Sequence, residues 1–158
     1  MITINDLGFT YGETGGLGSI SLDKKKGHIL PTDRYVLRNI TMNLEEGCIY
    51  GLLGENGVGK TTFLTLLSGL KKPQLGEIDI DGHKPYDREP SFLADQYYLS
   101  DEVASVNMKA IDYARSYGKF WENFDIGKFK EVMEVLENDT EQKMTRMSFG
   151  QLKKTYIA

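Results

Sequence analysis

Gly54 to Thr62 read G-E-N-G-V-G-K-T-T. The run satisfies G-x-x-x-x-G-K-[ST], the pattern of a loop that holds phosphate. Residue types and spacing explain the chemistry. A glycine-rich backbone wraps an anion with its N–H groups, and a helix starting at the end of the loop points its N-terminus at the same anion. Lys60 adds a cation that reaches the outer phosphates and is the candidate catalytic residue. The Thr61 hydroxyl is a candidate Mg²⁺ ligand. Gly54, Asn56, Gly57, Gly59, Lys60, Thr61 and Thr62 are the candidate nucleotide-binding residues of this loop.

Such a loop needs a strand before it and a helix after it. Cys48 to Leu53 is a short apolar run, the size of a buried strand. Phe63 to Ser68 is a mostly apolar helix, with Gly69 placed to cap its C-terminus. Upstream, Ile2 and Ile4 alternate with polar residues, and Leu7, Phe9 and Tyr11 alternate after a two-residue break, which predicts one or two edge strands. Residues 12–34 are polar and glycine-punctuated. Ser19–Leu22 and His28–Leu30 suggest a small hairpin there around Lys24–Lys26, which reads as a solvated turn. Val36 to Leu44 and Gly76 to Gly82 alternate as strands, and the aromatics of Phe92 to Leu99 predict another. The second half is helical in pattern: Val106 to Tyr117 with Ser105 as N-cap, a segment through Ile126 to Leu136 with Asp125 as N-cap, and Gln151 to Ala158. The sum is an α/β chain.

Bulk properties narrow the class. The chain has 158 residues, enough for one domain. Its 19 basic and 23 acidic residues give a formal charge of −4, which argues against a broad nucleic-acid footprint. Cys48 is the single cysteine, expected as a small buried hydrophobe. His28 and His83 lie in polar stretches, expected exposed and without metal-ligand spacing. No apolar run approaches the roughly 18 residues of a membrane span, and Met1 to Asp6 lack the regions of a signal peptide. A cytoplasmic setting is the expectation.

A second motif, Met147 to Gln151, reads M-S-F-G-Q and opens a helix after a helical segment. In that context it resembles the L-S-G-G-Q signature of ATP-binding cassette (ABC) ATPases, with Phe149 in place of the first glycine. Tyr35–Ile40, Gly47, Gly51–Gly54, Gly76–Gly82 and Phe120–Asp125 are similar to other parts of that family. The resemblance covers nearly all of the chain except residues 12–34. It implies a P-loop NTPase core with an antiparallel β-subdomain and a helical subdomain. The boundaries it suggests are 1–50 for the β-subdomain, with the insert at 12–34, 51–100 for the P-loop core, 101–150 for the helical subdomain and 148–158 for the signature helix. It implies ATP and Mg²⁺ as cofactors. It also implies two partners, a transmembrane transporter subunit and a second ABC ATPase domain. Two cassettes sandwich ATP in this family, so Ser148, Gly150 and Gln151 are expected to hold the γ-phosphate bound to the partner cassette.

The family stacks an aromatic on the adenine. Tyr11 is the preferred candidate, with Tyr35 as rival. A glutamine of the family contacts Mg²⁺ and the attacking water. Gln96 is a candidate, but the register of Tyr97 to Glu102 places Asp101 there, and Asp101 is preferred because Gln96 is expected inside a strand. Tyr97, Tyr98, Phe120, Trp121 and Phe124 are candidates for lining a groove for a transporter helix. The family's strand ending in Asp-Glu and its later histidine have no counterpart here, so the chain is expected to be a fragment or truncated product. Such a chain binds ATP, hydrolyses it poorly, and leaves an apolar strand edge beside the loop. The expected role is the ATP-binding subunit of a transporter, on the inner face of the membrane through its transmembrane partner. A soluble ABC ATPase of translation or DNA repair is the second reading. A GTPase or small-molecule kinase is the third, and the chain has no Asn-Lys-x-Asp guanine-reading motif.

Overall fold

The structure is a computed structural model that describes residues 1–11 and 35–158. The suggested hairpin, Lys24–Lys26 and His28 lie outside the described residues. The chain divides into two compact units, Met1–Gln96 and Tyr97–Ala158.

The first unit is built on a three-stranded antiparallel sheet in the order β2-β1-β3. β1 spans Ile2–Phe9, β2 Leu37–Leu44 and β3 Leu75–Ile80. The expected edge strand β1 is the central strand. Ile4 pairs with Met42 on one side and Ile78 on the other. The break in alternation after Ile4 does not divide it into two strands. It is a bulge: the register with both neighbours shifts between Ile4 and Gly8, and Asp6 adopts φ 47°. The extra backbone length returns Leu7 and Phe9 to the face that Ile4 occupies. Ile4, Leu7, Phe9, Leu37 and Ile78 form the core of this unit with Phe63 and Leu66 of helix α1, Lys60–Leu67.

Two expected strands do not form. Cys48 to Leu53 are irregular, with Ile49 and Leu53 102% and 93% exposed, and Cys48 is exposed rather than buried. A strand is a pairing, and among the described residues no strand runs beside this segment. The apolar composition that predicted burial is therefore left bare. Phe92 to Leu99 begins instead inside a short helix α2, Pro90–Ala94, with proline at its first position and Phe92 buried. His83 is half-buried rather than exposed, its Nδ1 2.7 Å from Glu89 Oε2.

The second unit packs α3 (Ala110–Tyr117), α4 (Ile126–Val135) and α5 (Phe149–Ile157). Its core is Ala110, Ile111, Ala114, Phe129, Met133, Met144, Met147 and Leu152. α3 starts later than its apolar pattern suggests, and Ser105 is not its cap. The preceding backbone is spent elsewhere: Met144 N–H donates to the Met108 carbonyl at 2.9 Å, and Ala110 N–H to the Gln142 carbonyl at 3.2 Å. α4 is capped as expected, with the Asp125 carboxylate accepting from Lys128 N–H at 2.8 Å. No helix among the described residues is long and apolar enough to cross a membrane.

Gly76 faces the β1 bulge with φ +70°, and a Cβ there would collide with the Asn5 and Asp6 carbonyls. Gly76→Ala is therefore expected to cost about 2 kcal/mol or more, combining left-handed strain with overpacking against rigid backbone. Urea unfolding of the full chain measures it.

Candidate functional site

The loop from Gly54 to Gly59 enters α1 through a backbone that only glycine tolerates. Gly59 has φ +103°, and a Cβ on it would lie 2.8 Å from Leu37 Cδ2 and 3.1 Å from the Val36 carbonyl oxygen. This close approach fastens the loop to the start of β2. Gly57, at φ +85°, makes the turn, and a Cβ there would meet nothing. α1 begins with no side chain capping it. The first-turn N–H groups of a helix lack intrahelical acceptors, so such a start favours an anion.

Lys60 is half-buried and folds over its own loop, donating to the Gly54 carbonyl at 2.7 Å and the Glu55 carbonyl at 2.8 Å. An ammonium carries three N–H donors, so one is left for a ligand. Thr61 is exposed in the first turn of α1, as a metal-ligating hydroxyl must be. Asn56 is exposed in the loop. Thr62 is 4% exposed, and its Oγ1 is 2.8 Å from the Tyr11 hydroxyl. Cradle, uncapped helix and spare lysine proton together fit a nucleotide triphosphate.

Tyr11 follows the end of β1 and is 58% exposed. Phe9 meets the ring edge-on at 5.1 Å, and Lys71 Nζ lies 4.9 Å from its centroid. Gln74 extends the sheet to reach it: its side-chain amide accepts from Thr10 N–H and donates to the Thr10 carbonyl, both at 2.9 Å. One side chain thus imitates a strand rung. Tyr35 is half-buried, and its ring carries the Arg38 guanidinium at 5.9 Å.

The ground for preferring Asp101 over Gln96 falls with the strand on which it rested. Gln96 lies in irregular chain after α2, and its Nε2 donates to the Ser68 carbonyl at 3.0 Å, closing the end of α1. Asp101 is 90% exposed and pairs with Lys153 Nζ at 3.5 Å. Among the described residues no cluster of three or more acidic, histidine or cysteine side chains has metal-binding geometry.

In the second unit Ser148 is the N-cap of α5, in a reciprocal capping box with Gln151. The Ser148 hydroxyl accepts from Gln151 N–H at 3.2 Å, and the Gln151 side chain accepts from Ser148 N–H at 2.8 Å. Gln151 N–H is thus engaged with Ser148, and its side chain serves the cap. The Ser148 hydroxyl keeps its own proton to donate. Gly150 is exposed, and a Cβ added there would meet nothing within 4 Å. Behind the motif, buried Asn138 donates to the Gln151 carbonyl and to Thr155 Oγ1, both at 2.9 Å. Gln74, Lys71 and Asn138 carried no sequence signal, because their roles depend on partners distant in the chain.

Of the groove candidates, Phe120 and Tyr97 are 75% and 59% exposed and Trp121 39%. Tyr98 is half-buried, and Phe124 packs against the helical core. Burial, reinforced by neighbouring Tyr156, raises the Tyr113 phenol above its ordinary range, so it stays protonated near neutrality.

The family profile described as "ABC transporter" matches residues 37–158, more than three quarters of the chain. The chain belongs to the ABC transporter family. An energy-coupling factor transporter ATP-binding protein of Mesomycoplasma hyopneumoniae is 52% identical over 50 residues, 32% of this chain and 18% of that protein. A ribose import ATP-binding protein of Bacillus licheniformis is 46% identical over 55 residues, 35% of this chain and 11% of the relative. The matched stretch thus spans less than a fifth of each of these ABC relatives. Among solved structures, a putative ABC transporter ATP-binding protein of Pyrococcus furiosus matches with a TM-score of 0.73 and 23% identity, over 99% of this chain and 67% of that one. A dimeric ATP-binding cassette bound to ADP and Pi matches at TM-score 0.69 and 21% identity, over the same shares. The fold is that of an ABC ATPase cassette.

Ser148 and Gly150 separate on stability. Ser148→Ala removes the cap and is expected to cost about 1 kcal/mol. Gly150→Ala gains helix propensity at an open site and is expected to stabilise the isolated chain by about 0.5–1 kcal/mol. Urea unfolding of both variants measures the two signs. A destabilised Gly150→Ala would mean that the chain itself needs the glycine.

Proposed function

We propose that this chain is the ATP-binding part of the energising subunit of an ABC transporter. The observation that carries the reading is the loop itself: a glycine backbone fastened to β2, an uncapped α1 and Lys60 with a proton to spare. Gly54 to Thr62 hold the triphosphate through backbone N–H groups and the Lys60 ammonium. Thr61 offers its hydroxyl to Mg²⁺, and the exposed face of Tyr11 stacks on the adenine. ATP, when bound, supplies the phosphoanhydride whose cleavage drives transport in the whole protein.

The signature completes another site. The capping box fixes the Ser148 oxygen as an acceptor from Gln151 N–H and leaves its own proton to donate, and Gly150 leaves room at the helix start for an approaching phosphate. We assign Ser148 and Gly150 to the γ-phosphate held by a second cassette, with Gln151 positioning Ser148. The dimeric cassette bound to ADP and Pi supports this reading. A transmembrane subunit is the second partner, and it would hold the chain at the inner face of the membrane. The names of the relatives are those of import and transporter ATP-binding proteins, which favours transport over translation or repair.

The test is calorimetric titration of the full chain with Mg·ATP. Lys60→Ala is expected to bind at least about tenfold more weakly, since it loses a charge-assisted hydrogen bond worth roughly 1.5–3 kcal/mol. No binding by the natural chain, or equal binding by the variant, would sink the reading.

A further inference from the structure

We propose that Thr62 is a positioning residue for the base rather than a hydroxyl ligand of phosphate. Together with Lys71 it fixes the ring of Tyr11, so that one helix start aligns both the phosphate chain and the base. The proposal rests on the reading of Tyr11 as the adenine platform.

Two neighbouring threonines of α1 do opposite things. Thr61 is exposed, whereas the Thr62 side chain is buried and its Oγ1 lies 2.8 Å from the Tyr11 hydroxyl. A helical threonine has two accessible χ1 wells, and the one adopted here brings Oγ1 to the Tyr11 hydroxyl. Buried and bonded there, the Thr62 hydroxyl is less accessible to an anion at the helix start than that of Thr61.

The Tyr11 ring is constrained on three sides. Thr62 holds its hydroxyl, Phe9 packs T-shaped against it with the planes 86° apart, and the Lys71 ammonium lies over it at 4.9 Å. A cation over an aromatic ring sits on a face, drawn by the electron-rich π cloud. Lys71 occupies one face, and Tyr11 as a whole is still 58% exposed. A planar heteroaromatic base fits that remaining face. Gln74 holds the preceding residue, Thr10, to the sheet, so the platform is fixed from both its backbone and its tip. The ligand class is a base joined to a phosphate chain, with the base read by stacking.

The experiment separates base from phosphate. The full chain is titrated with Mg·ATP and, separately, with Mg·tripolyphosphate, which has no base. Thr62→Val keeps the branched shape and loses the hydroxyl, and Tyr11→Phe keeps the ring and loses its tether. Each is expected to weaken ATP by about three- to tenfold, the range for one hydrogen bond, while tripolyphosphate changes less than about twofold. The double variant is expected to bind ATP no more weakly than either single one, because both remove the same bond. Thr62→Ser is expected to restore ATP affinity. Equal losses for both ligands in Thr62→Val would place the hydroxyl on phosphate and overturn the proposal. Unchanged ATP affinity in both single variants would overturn it too. A natural chain that binds tripolyphosphate as tightly as ATP would refute Tyr11 as the platform, and one that binds neither would refute the nucleotide reading itself.

Discussion

A phosphate cradle made of backbone N–H groups works only if something outside the cradle fixes the backbone. Side chains can adjust to a ligand one rotamer at a time, but a ring of amides is set by its φ and ψ angles. Here the fixing contact is Gly59. Its left-handed backbone lies so close to Val36 and Leu37 that no Cβ fits between them. The loop is thereby fastened to the start of β2, and α1 is fastened to the sheet by Phe63 and Leu66. Lys60 closes the loop from inside by donating to two of its carbonyls. The rest of the first unit follows from holding that contact. β1 runs centrally so that its end delivers Tyr11 to the first turn of α1, and its bulge needs Gly76 beneath it.

The second unit solves a different problem with the same chemistry. A helix start favours anions because its N–H groups are unsatisfied, yet an open start frays. The capping box between Ser148 and Gln151 satisfies two groups and keeps the serine hydroxyl proton available. Rigidity is supplied from below by Asn138, which reaches the Gln151 carbonyl and Thr155 across the packed helices. The cap leaves the Ser148 hydroxyl proton available for the ligand contact proposed above.

The legible parts of the sequence were those whose cause is local. The phosphate loop with its following helix, the Asp125 cap and the last helix each rest on residues within a few positions of one another; the Asp125 cap forms as read, α1 follows the loop, and α5 starts at Phe149, two residues before the expected Gln151. Strands β1, β2 and β3 were legible as segments from their alternation, but their order was not. β1 read as one or two edge strands because it alternates with a break, and the break is a bulge whose compensation, Gly76, lies about seventy residues on. Cys48–Leu53 and Phe92–Leu99 misled for a related reason. Apolar and aromatic composition measures the gain from burial, while a strand requires a neighbour to pair with. Neither segment has one among the described residues. Gln74 and Lys71 were invisible because their action on Thr10 and Tyr11 crosses the sequence.

The glycines give a way to divide structure from function. Gly59, Gly69 and Gly76 each face atoms of this chain that would collide with a Cβ, so the fold alone accounts for them. Gly57 and Gly82 face open space but carry positive φ, so backbone conformation accounts for them. Gly150 has neither reason. It sits in the first turn of α5, in an ordinary helical position, where alanine should be more favourable and nothing of this chain is near. A helix that forgoes that stability at an exposed start, beside a serine whose proton is free, fits the proposed approach of a second cassette. The same reasoning does not extend to Gly51, which also faces open space but lies in irregular chain where alanine brings no helical gain. Gly150 thus differs from the other glycines of this comparison in that neither a contact within the chain, nor a positive φ, nor an irregular backbone accounts for it.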